Sequence, residues 1–189
     1  MRYRSTILGG ALAVAALLAT GAGARQATGA TARQAADLGG LESPRRVDLD
    51  GRAVRVQTVR LDRREPGQPI VVFEAGATNS LEVWSGVLPR VAAFAPVVAY
   101  DRAGLGESEW DDRTPTPRHV NDRLRRLLET IGAEPPFVLV GYSWGGALAR
   151  YFAGDHPADV AGIVYVDPGP IVTQSMADEL APFDAIGAG

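Results

Sequence analysis

The clearest indication of the fold is in residues 138–146, which read Val138-Leu139-Val140-Gly141-Tyr142-Ser143-Trp144-Gly145-Gly146. This stretch joins a continuous apolar run, typical of a strand buried on both faces, to the start of a segment with helical spacing. Gly141-x-Ser143-x-Gly145 stands between the two, which is the context of a nucleophile elbow, a strained turn that exposes a serine hydroxyl. Glycine neighbours are needed there because the strand and helix backbones nearly touch. The stretch therefore predicts a nucleophilic serine at position 143.

Two other interpretations of the turn at 141–146 stay open: a glycine-rich packing turn without chemistry, and a loop that binds phosphate. The phosphate-binding pattern Gly-x-Gly-x-x-Gly is absent from the first strand-to-helix junction of the sequence. All 19 basic residues are arginine, so the sequence lacks the lysine of a P-loop. The strand-turn-helix context favours the serine interpretation.

Strand and helix patterns alternate along the chain on both sides of this turn. Continuous apolar runs, typical of strands buried on both faces, occupy residues 70–73, 97–100, 137–140 and 163–166. Helical spacing occupies residues 81–94, 120–131 and 145–156. Before them, residues 47–49, the turn Asp50-Gly51 and residues 54–59 predict a β-hairpin. This order predicts an α/β fold, a mostly parallel sheet with helices on both faces.

The second of these helices is amphipathic. Its apolar residues share one face and its arginines fall on the other. The apolar face consists of Val120, Leu124, Leu127, Leu128 and Ile131. We expect this face to pack on the sheet.

In such a sheet, the chemistry collects in the loops at the carboxyl ends of the strands. Residues 74–79, 101–108 and 141–146 are loops of this kind. A serine nucleophile needs hydrogen-bond donors for the oxyanion that its attack creates. We predict the backbone N–H of Trp144 as one donor and that of Ala77, after the turn at Gly76, as the other. The alternative interpretation of residues 74–77 is a simple turn.

Four stretches of the chain resemble the α/β-hydrolase fold family in order and at its usual spacings. They are Phe73-Glu74-Ala75-Gly76-Ala77, Tyr100-Asp101-Arg102-Ala103-Gly104-Leu105-Gly106-Glu107-Ser108, residues 138–146, and Val160-Ala161-Gly162-Ile163-Val164-Tyr165-Val166-Asp167-Pro168. The resemblance covers about residues 47–170. It implies a serine hydrolase that forms an acyl-enzyme with a small-molecule substrate and uses no metal or organic cofactor.

The resemblance also implies roles for the loop after the fourth strand. Asp101 and Arg102 would brace this loop, and the glycines within residues 104–106 would bend it. The chain departs from the family in having Tyr142 where His more often precedes the serine, and Ala75-Gly76 where His-Gly is common. Neither change removes a backbone donor, so we expect the mechanism to be kept and the substrate preference to differ.

A serine nucleophile also needs a histidine base that a carboxylate orients, and the sequence has two histidines. His156 lies at the far end of the helix that starts at Ser143, on the order of 20 Å away, where the helix dipole favours it. His119 begins the preceding helix on the correct edge. It comes before the serine, however, whereas the family order is Ser, acid, His. We therefore interpret His119 as an ordinary exposed residue at a helix start.

The candidate acid in this sequence is Asp167, at the carboxyl end of the strand beside the elbow. Its competing interpretation is a Val-Asp-Pro turn, which Pro168 is sufficient to explain. In the resembling family the acid and the histidine usually follow later strands. We therefore expect the 189 residues to be the amino-terminal portion of a hydrolase, truncated after the sixth strand and inactive alone. Residues 171–189 would then begin a cap, with a short helix at 174–183.

The amino terminus has the pattern of a Sec-type signal peptide. Arg2 and Arg4 precede an apolar run at 7–19 and the small residues Ala22-Gly23-Ala24, which predict cleavage near Ala24. An uncleaved anchor is the alternative, but the run is shorter than the roughly 20 residues that cross a bilayer. We expect a secreted or periplasmic protein without a stable membrane anchor. The predicted organisation is a signal peptide at 1–24, a flexible leader at 25–45 and the hydrolase portion at 46–189.

Composition excludes several other classes of protein. With 46% apolar and 22% charged residues, the chain is typical of one globular domain. Its 22 acidic and 19 basic residues give a formal charge of -3, which disfavours nucleic acid as a partner. The lack of cysteine excludes thiol catalysis, disulfides and cysteine-type zinc sites within the sequence. Composition leaves the oligomeric state undecided.

Together these patterns predict a secreted serine hydrolase that acts on ester or amide-type acyl bonds through Ser143. The alternative from another class is a binding module, or a decayed pseudo-hydrolase, that keeps the fold without the catalysis. Cofactor-free haloperoxidase-like or epoxide-hydrolase-like activity is less favoured, because the latter chemistry would want an aspartate at position 143.

The signal-peptide interpretation predicts that the exported protein begins at Arg25. Ala24→Glu should block cleavage, because the processing site requires a small residue at this position. Ala27→Glu, which adds the same charge beyond the site, should leave cleavage intact. Intact-mass measurement of the exported protein checks this, and an exported chain that keeps residues 1–24 would instead support an uncleaved anchor.

Overall fold

The computed structural model describes residue 41 and residues 43–169. Its strands are β1 Arg45–Leu49, β2 Arg52–Val59, β3 Ile70–Glu74, β4 Val97–Tyr100, β5 Phe137–Ser143 and β6 Val160–Pro168. They form one six-stranded sheet in the order β1-β2-β4-β3-β5-β6. The predicted signal peptide, most of the predicted leader and the predicted helix at 174–183 lie outside the described residues.

Pairing within the sheet follows the predicted pattern. β1 and β2 form an antiparallel hairpin in which Leu49 lies opposite Arg52. Asp50 (φ 57°) and Gly51 (φ 77°) make its two-residue turn, both with the positive φ that a twisted hairpin favours. β2 pairs antiparallel with β4, whereas the pairs β3–β4, β3–β5 and β5–β6 are parallel. The predicted hairpin and mostly parallel sheet are confirmed, and β3 to β6 present their carboxyl ends at one edge.

The prediction that residues 163–166 form a strand buried on both faces is wrong, although the strand itself is present. Every residue of β6 is half-buried or exposed, and Tyr165 is 40% exposed. Among the described strands, β6 pairs with β5 alone and lies at the end of the sheet. An end strand has a neighbouring strand on one side only, so a run of apolar residues in its sequence does not guarantee that these residues are buried.

The helices of the described region are α1 Leu88–Ala92, α2 Pro117–Thr130 and α3 Trp144–Asp155, with 3₁₀ turns at Leu61–Arg63 and Leu81–Trp84. A single helix over 81–94 was the prediction, and it is wrong because the chain breaks between the second 3₁₀ turn and α1. Pro89 stands in the first turn of α1. Proline has no N–H and clashes inside a helix but suits its first turn, so the helix restarts there.

α2 begins three residues before the predicted segment, because Thr116 caps it. The Thr116 side chain accepts a hydrogen bond from the backbone N–H of His119 at 3.2 Å. The predicted apolar face is buried at Val120, Leu124, Leu127 and Leu128. The prediction that every arginine lies on the other face is wrong for Arg123, which is buried with its Nε 3.1 Å from the Asp111 carboxylate.

Apolar side chains pack on both faces of the sheet. β3 contributes Ile70 and Val72 to one cluster and Val71 and Phe73 to the other, as alternate residues of a strand do. α2 and α3 cover the first cluster, and α1 covers the second. Within the residues that the structure describes, no helix is both long enough and apolar enough to cross a membrane.

The core is tested by one substitution made at a buried and at an exposed position. Val56 is 0% exposed and Val83 is 40% exposed. Val56→Ala should lower the free energy of unfolding by about 2 kcal/mol through lost burial and the cavity left behind. Val83→Ala should change it by less than about 0.5 kcal/mol. Urea denaturation measures both, and equal losses would contradict this account of the core.

Candidate active site

Ser143 ends β5 and directly precedes α3. Its backbone lies at φ 52° and ψ −121°, in the region that glycine favours and other residues rarely adopt. This is the strained serine that the sequence predicts for a nucleophile elbow. The residue is half-buried at the edge where the strands of the parallel region end.

The glycines around Ser143 are required by backbone contacts. A Cβ on Gly145 would lie 2.1 Å from the carbonyl oxygen of Glu74 and 2.6 Å from that of Ala75. A Cβ on Gly141 would lie 2.5 Å from the carbonyl oxygen of Gly145. Neither position can hold a side chain, because Gly145 lies directly against the end of β3 and Gly141 lies directly against the start of α3. The predicted need for glycine on both sides of the serine is confirmed.

The two predicted oxyanion donors line the same cavity, which has a volume of about 150 Å³. Trp144 is the first residue of α3, so its amide is among those that have no acceptor within the helix. Ala77 lies in the loop after β3, three residues beyond Glu74. Ser143 is not among the lining residues and adjoins the cavity through Trp144. The donor roles of Ala77 and Trp144 stay predictions.

The loop after β4 is braced by Asp101, as the family resemblance implies. Its buried carboxylate accepts hydrogen bonds from the backbone N–H groups of Leu81 at 2.7 Å and Glu107 at 3.0 Å. A Cβ on Gly106 would lie 2.1 Å from that carboxylate. Gly104 and Gly106 both have positive φ, at 73° and 53°. The loop therefore bends at its glycines and is tied to the start of the second 3₁₀ turn.

A buried polar cluster of Glu74, Tyr100 and Arg102 lies beside the elbow. Arg102 Nη1 donates to the Glu74 carboxylate at 2.5 Å, and the Tyr100 hydroxyl donates to the other carboxylate oxygen. Burial raises the pKa of Glu74, against the opposing effects of the Arg102 charge and these hydrogen bonds. Burial also raises the pKa of Tyr100, with the Glu74 charge adding to the effect.

The sequence patterns did not single out Glu74 as part of the site. The available signal was a carboxylate placed directly after an apolar run that is buried on both faces, where an acid needs a partner.

His119 belongs to a second polar cluster, at the start of α2. Its Nε2 lies 2.6 Å from the carboxylate of Asp111, which Arg123 also contacts, and all three residues line the cavity. Burial acts to raise the pKa of Asp111, but the hydrogen bond with His119 and the charge of Arg123 outweigh it, so this pKa is lowered. The interpretation of His119 as an ordinary exposed histidine is wrong, because 16% of its side chain is accessible.

The other candidate residues lie apart from this cavity. His156 follows α3, where its ring packs on Phe152 with centroids 4.7 Å apart. Asp167 is exposed near the end of β6 with a positive φ of 42°, and its proposed role as acid stays a prediction. Tyr142, which precedes the serine, packs edge-on against Trp84 at 6.4 Å between centroids. Across the described residues, no group of three His, Cys, Asp or Glu side chains is arranged to hold a metal.

A family model described as "alpha/beta hydrolase fold" matches residues 69–186, which is more than half of the chain. An AB hydrolase superfamily protein of Gibberella zeae is 35% identical over 109 residues, or 56% of this chain and 34% of that protein. A haloalkane dehalogenase of Mycolicibacterium smegmatis is 32% identical over 117 residues, or 59% of this chain and 38% of that protein. The chain thus spans little more than a third of the length of these two relatives.

Solved structures show the same likeness. The structure of the epoxide hydrolase CorEH without ligand matches with a TM-score of 0.58 and 27% sequence identity. This match covers 67% of the present chain and 42% of the epoxide hydrolase chain.

The backbone contact at the elbow is tested by the same substitution at two positions of α3. Gly145→Ala should lower the free energy of unfolding by about 3 kcal/mol, because the new methyl group must push the loop after β3 away from the elbow. Gly154→Ala, where a Cβ would meet nothing within 4 Å, should raise it by up to about 1 kcal/mol through helix propensity. Thermal denaturation compares the two, and an unchanged melting temperature for Gly145→Ala would contradict the close approach.

Proposed function

Because the chain belongs to the alpha/beta hydrolase fold family, we propose that the protein hydrolyses ester or amide-type acyl bonds through an acyl-enzyme at Ser143. The observation that carries this proposal is the backbone of Ser143, at φ 52° between β5 and α3. Such a conformation costs a residue other than glycine about 1–3 kcal/mol, and strain of this kind clusters at catalytic positions. The family and the position of the residue favour the nucleophile over a packing turn.

The proposed reaction uses the backbone amides of two residues that line the cavity, Ala77 and Trp144. The Ser143 hydroxyl gives its proton to the histidine base of the whole protein as Oγ attacks the carbonyl carbon of the substrate, and the carbonyl electron pair moves to the oxygen. The N–H groups of Ala77 and Trp144 donate hydrogen bonds to this oxyanion. Collapse of the intermediate expels the alcohol or amine, which takes the proton from that base. Water then gives a proton to the base as it attacks the acyl-enzyme, and collapse of the second intermediate releases the carboxylic acid and returns the proton to the serine.

A serine at position 143 favours acyl substrates over haloalkanes and epoxides, the substrates that the names of two relatives describe. An attack on the saturated carbon of a haloalkane or an epoxide by a serine would form an alkyl ether, which water does not cleave under mild conditions. A carboxylate in the same place would form an ester, which water does cleave. Of these three substrate classes, only acyl compounds let Ser143 form an intermediate that water cleaves.

The histidine base is not assigned to His119 or His156 in this proposal. His119 uses Nε2 on Asp111, and His156 lies at the opposite end of α3 from Ser143. The relatives are longer than this chain, so we propose the activity for the whole protein. We also propose that the whole protein is exported through the signal peptide. The small-molecule substrate is the partner that this reaction requires.

The proposal predicts that a fluorophosphonate probe labels Ser143 and that the labelled protein loses its hydrolytic activity. Ser143→Ala should abolish labelling and lower hydrolysis of p-nitrophenyl butyrate by about 10⁴-fold or more, since the nucleophile is lost. Ser85→Ala, at an exposed serine outside the cavity, is the matched control and should keep both. Peptide mass spectrometry locates the label, and steady-state kinetics measures the activity.

Two outcomes would contradict the proposal. Hydrolysis that survives Ser143→Ala would assign the chemistry to another group. A folded full-length protein that is neither labelled nor active would favour the binding module over the enzyme.

A further inference from the structure

Besides its ion pair with Glu74, Arg102 donates hydrogen bonds to backbone carbonyl groups of the loop after β3. Its Nη1 donates to the carbonyl oxygen of Ala75 at 2.6 Å. Its Nη2 donates to the carbonyl oxygens of Gly76 and, at 3.1 Å, of Ala77. One guanidinium, 6% exposed, therefore binds three consecutive carbonyl groups of the loop that holds the predicted donor.

The contact with Gly76 fixes the direction of the Ala77 amide. The carbonyl of Gly76 and the N–H of Ala77 belong to one planar trans peptide unit, in which they point to opposite sides. The Gly76 oxygen accepts hydrogen bonds from Arg102 and, at 3.1 Å, from the backbone N–H of Asn79, so the N–H of Ala77 must point away from the guanidinium. The positive charge on the carbonyl side also polarises the peptide, which strengthens its N–H as a donor.

Glu74 and Tyr100 keep the guanidinium in place. Glu74 is 2% exposed, and its two carboxylate oxygens are occupied by Arg102 and Tyr100. The backbone oxygen of Glu74 is also the atom that a side chain on Gly145 would strike. On its other side, Arg102 stacks 5.1 Å from the ring centroid of Trp144. Arg102 thus contacts both residues whose amides are proposed to bind the oxyanion.

We propose that Arg102 is a positioning residue, which aims the Ala77 N–H into the oxyanion hole through the Gly76 carbonyl and is itself held by Glu74. This inference rests on the proposed function, because it concerns the hole in which that reaction forms its oxyanion. Arg102 does not touch the substrate in this account. Its effect on the rate acts through the direction of one peptide group.

The test compares an ester with its thionoester, p-nitrophenyl butyrate and the analogue in which sulfur replaces the carbonyl oxygen. Sulfur accepts hydrogen bonds poorly, so a well-aimed hole strongly favours the oxygen substrate. Arg102→Lys keeps the charge but cannot bind three carbonyl groups at once. We expect kcat for the ester to fall about 100-fold, as when one oxyanion donor is lost, with little change in KM. The ratio of ester to thionoester rates should fall at least about tenfold.

That ratio does not depend on the folded fraction, since both substrates report on the same active molecules. Glu74→Gln, which loosens Arg102 without removing it, should shift the ratio in the same direction and by less. Arg64→Lys is the matched control, because Arg64 is a half-buried arginine that also donates to three carbonyl groups, those of Gln68, Glu134 and Pro135, and does not contact the loop at 75–77. Its ratio should equal that of the unchanged protein.

The outcomes separate this inference from the proposed function. An unchanged ratio in Arg102→Lys, in a protein whose Ser143 still carries the activity, would overturn the positioning role alone. Absence of any Ser143-dependent turnover in the unchanged full-length protein would overturn the proposed function, and the positioning role would fall with it.

Discussion

The arrangement of the candidate site depends on one backbone contact, where the turn between β5 and α3 passes the end of β3. Gly141 pairs with Glu74 in the parallel register of β5 and β3. One turn later, Gly145 lies so near the Glu74 carbonyl that a Cβ would stand 2.1 Å from it. Because this contact joins two backbone segments and involves no side chain that could move aside, the serine turn and the loop with Ala77 cannot move independently. The position of the nucleophile relative to its predicted oxyanion donors is a property of the sheet register.

The loop after β4 completes this arrangement through two adjacent residues that reach in different directions. Asp101 binds the amide that begins the second 3₁₀ turn, and Arg102 binds the carbonyl groups that follow β3. One dipeptide thus fastens both ends of the connection between β3 and the second 3₁₀ turn. The opposite charges also suit their tasks, since a carboxylate accepts from amides and a guanidinium donates to carbonyl oxygens.

Much of this fold could be predicted from local patterns, and the exceptions have physical reasons. Continuous apolar runs marked the strands, and the glycines beside Ser143 marked a turn that only they can make. The ion-pair partners of the buried residues Arg123 and Glu74 could not be read in this way, because a local pattern does not show which distant residue comes into contact. Helical spacing does not show the break before α1, which Pro89 explains, and the exposure of β6 depends on its place at the end of the described sheet.

The strained backbone of Ser143 also means that stability and catalysis favour different residues at this position. Glycine adopts a φ of 52° without a steric penalty, so a change of this serine to glycine would relieve the backbone and remove the hydroxyl in one step. The fold alone would be better served by glycine there, just as it is at the flanking positions 141 and 145. Where catalysis is no longer under selection, replacement of Ser143 by glycine would therefore make the protein more stable and catalytically inactive at the same time.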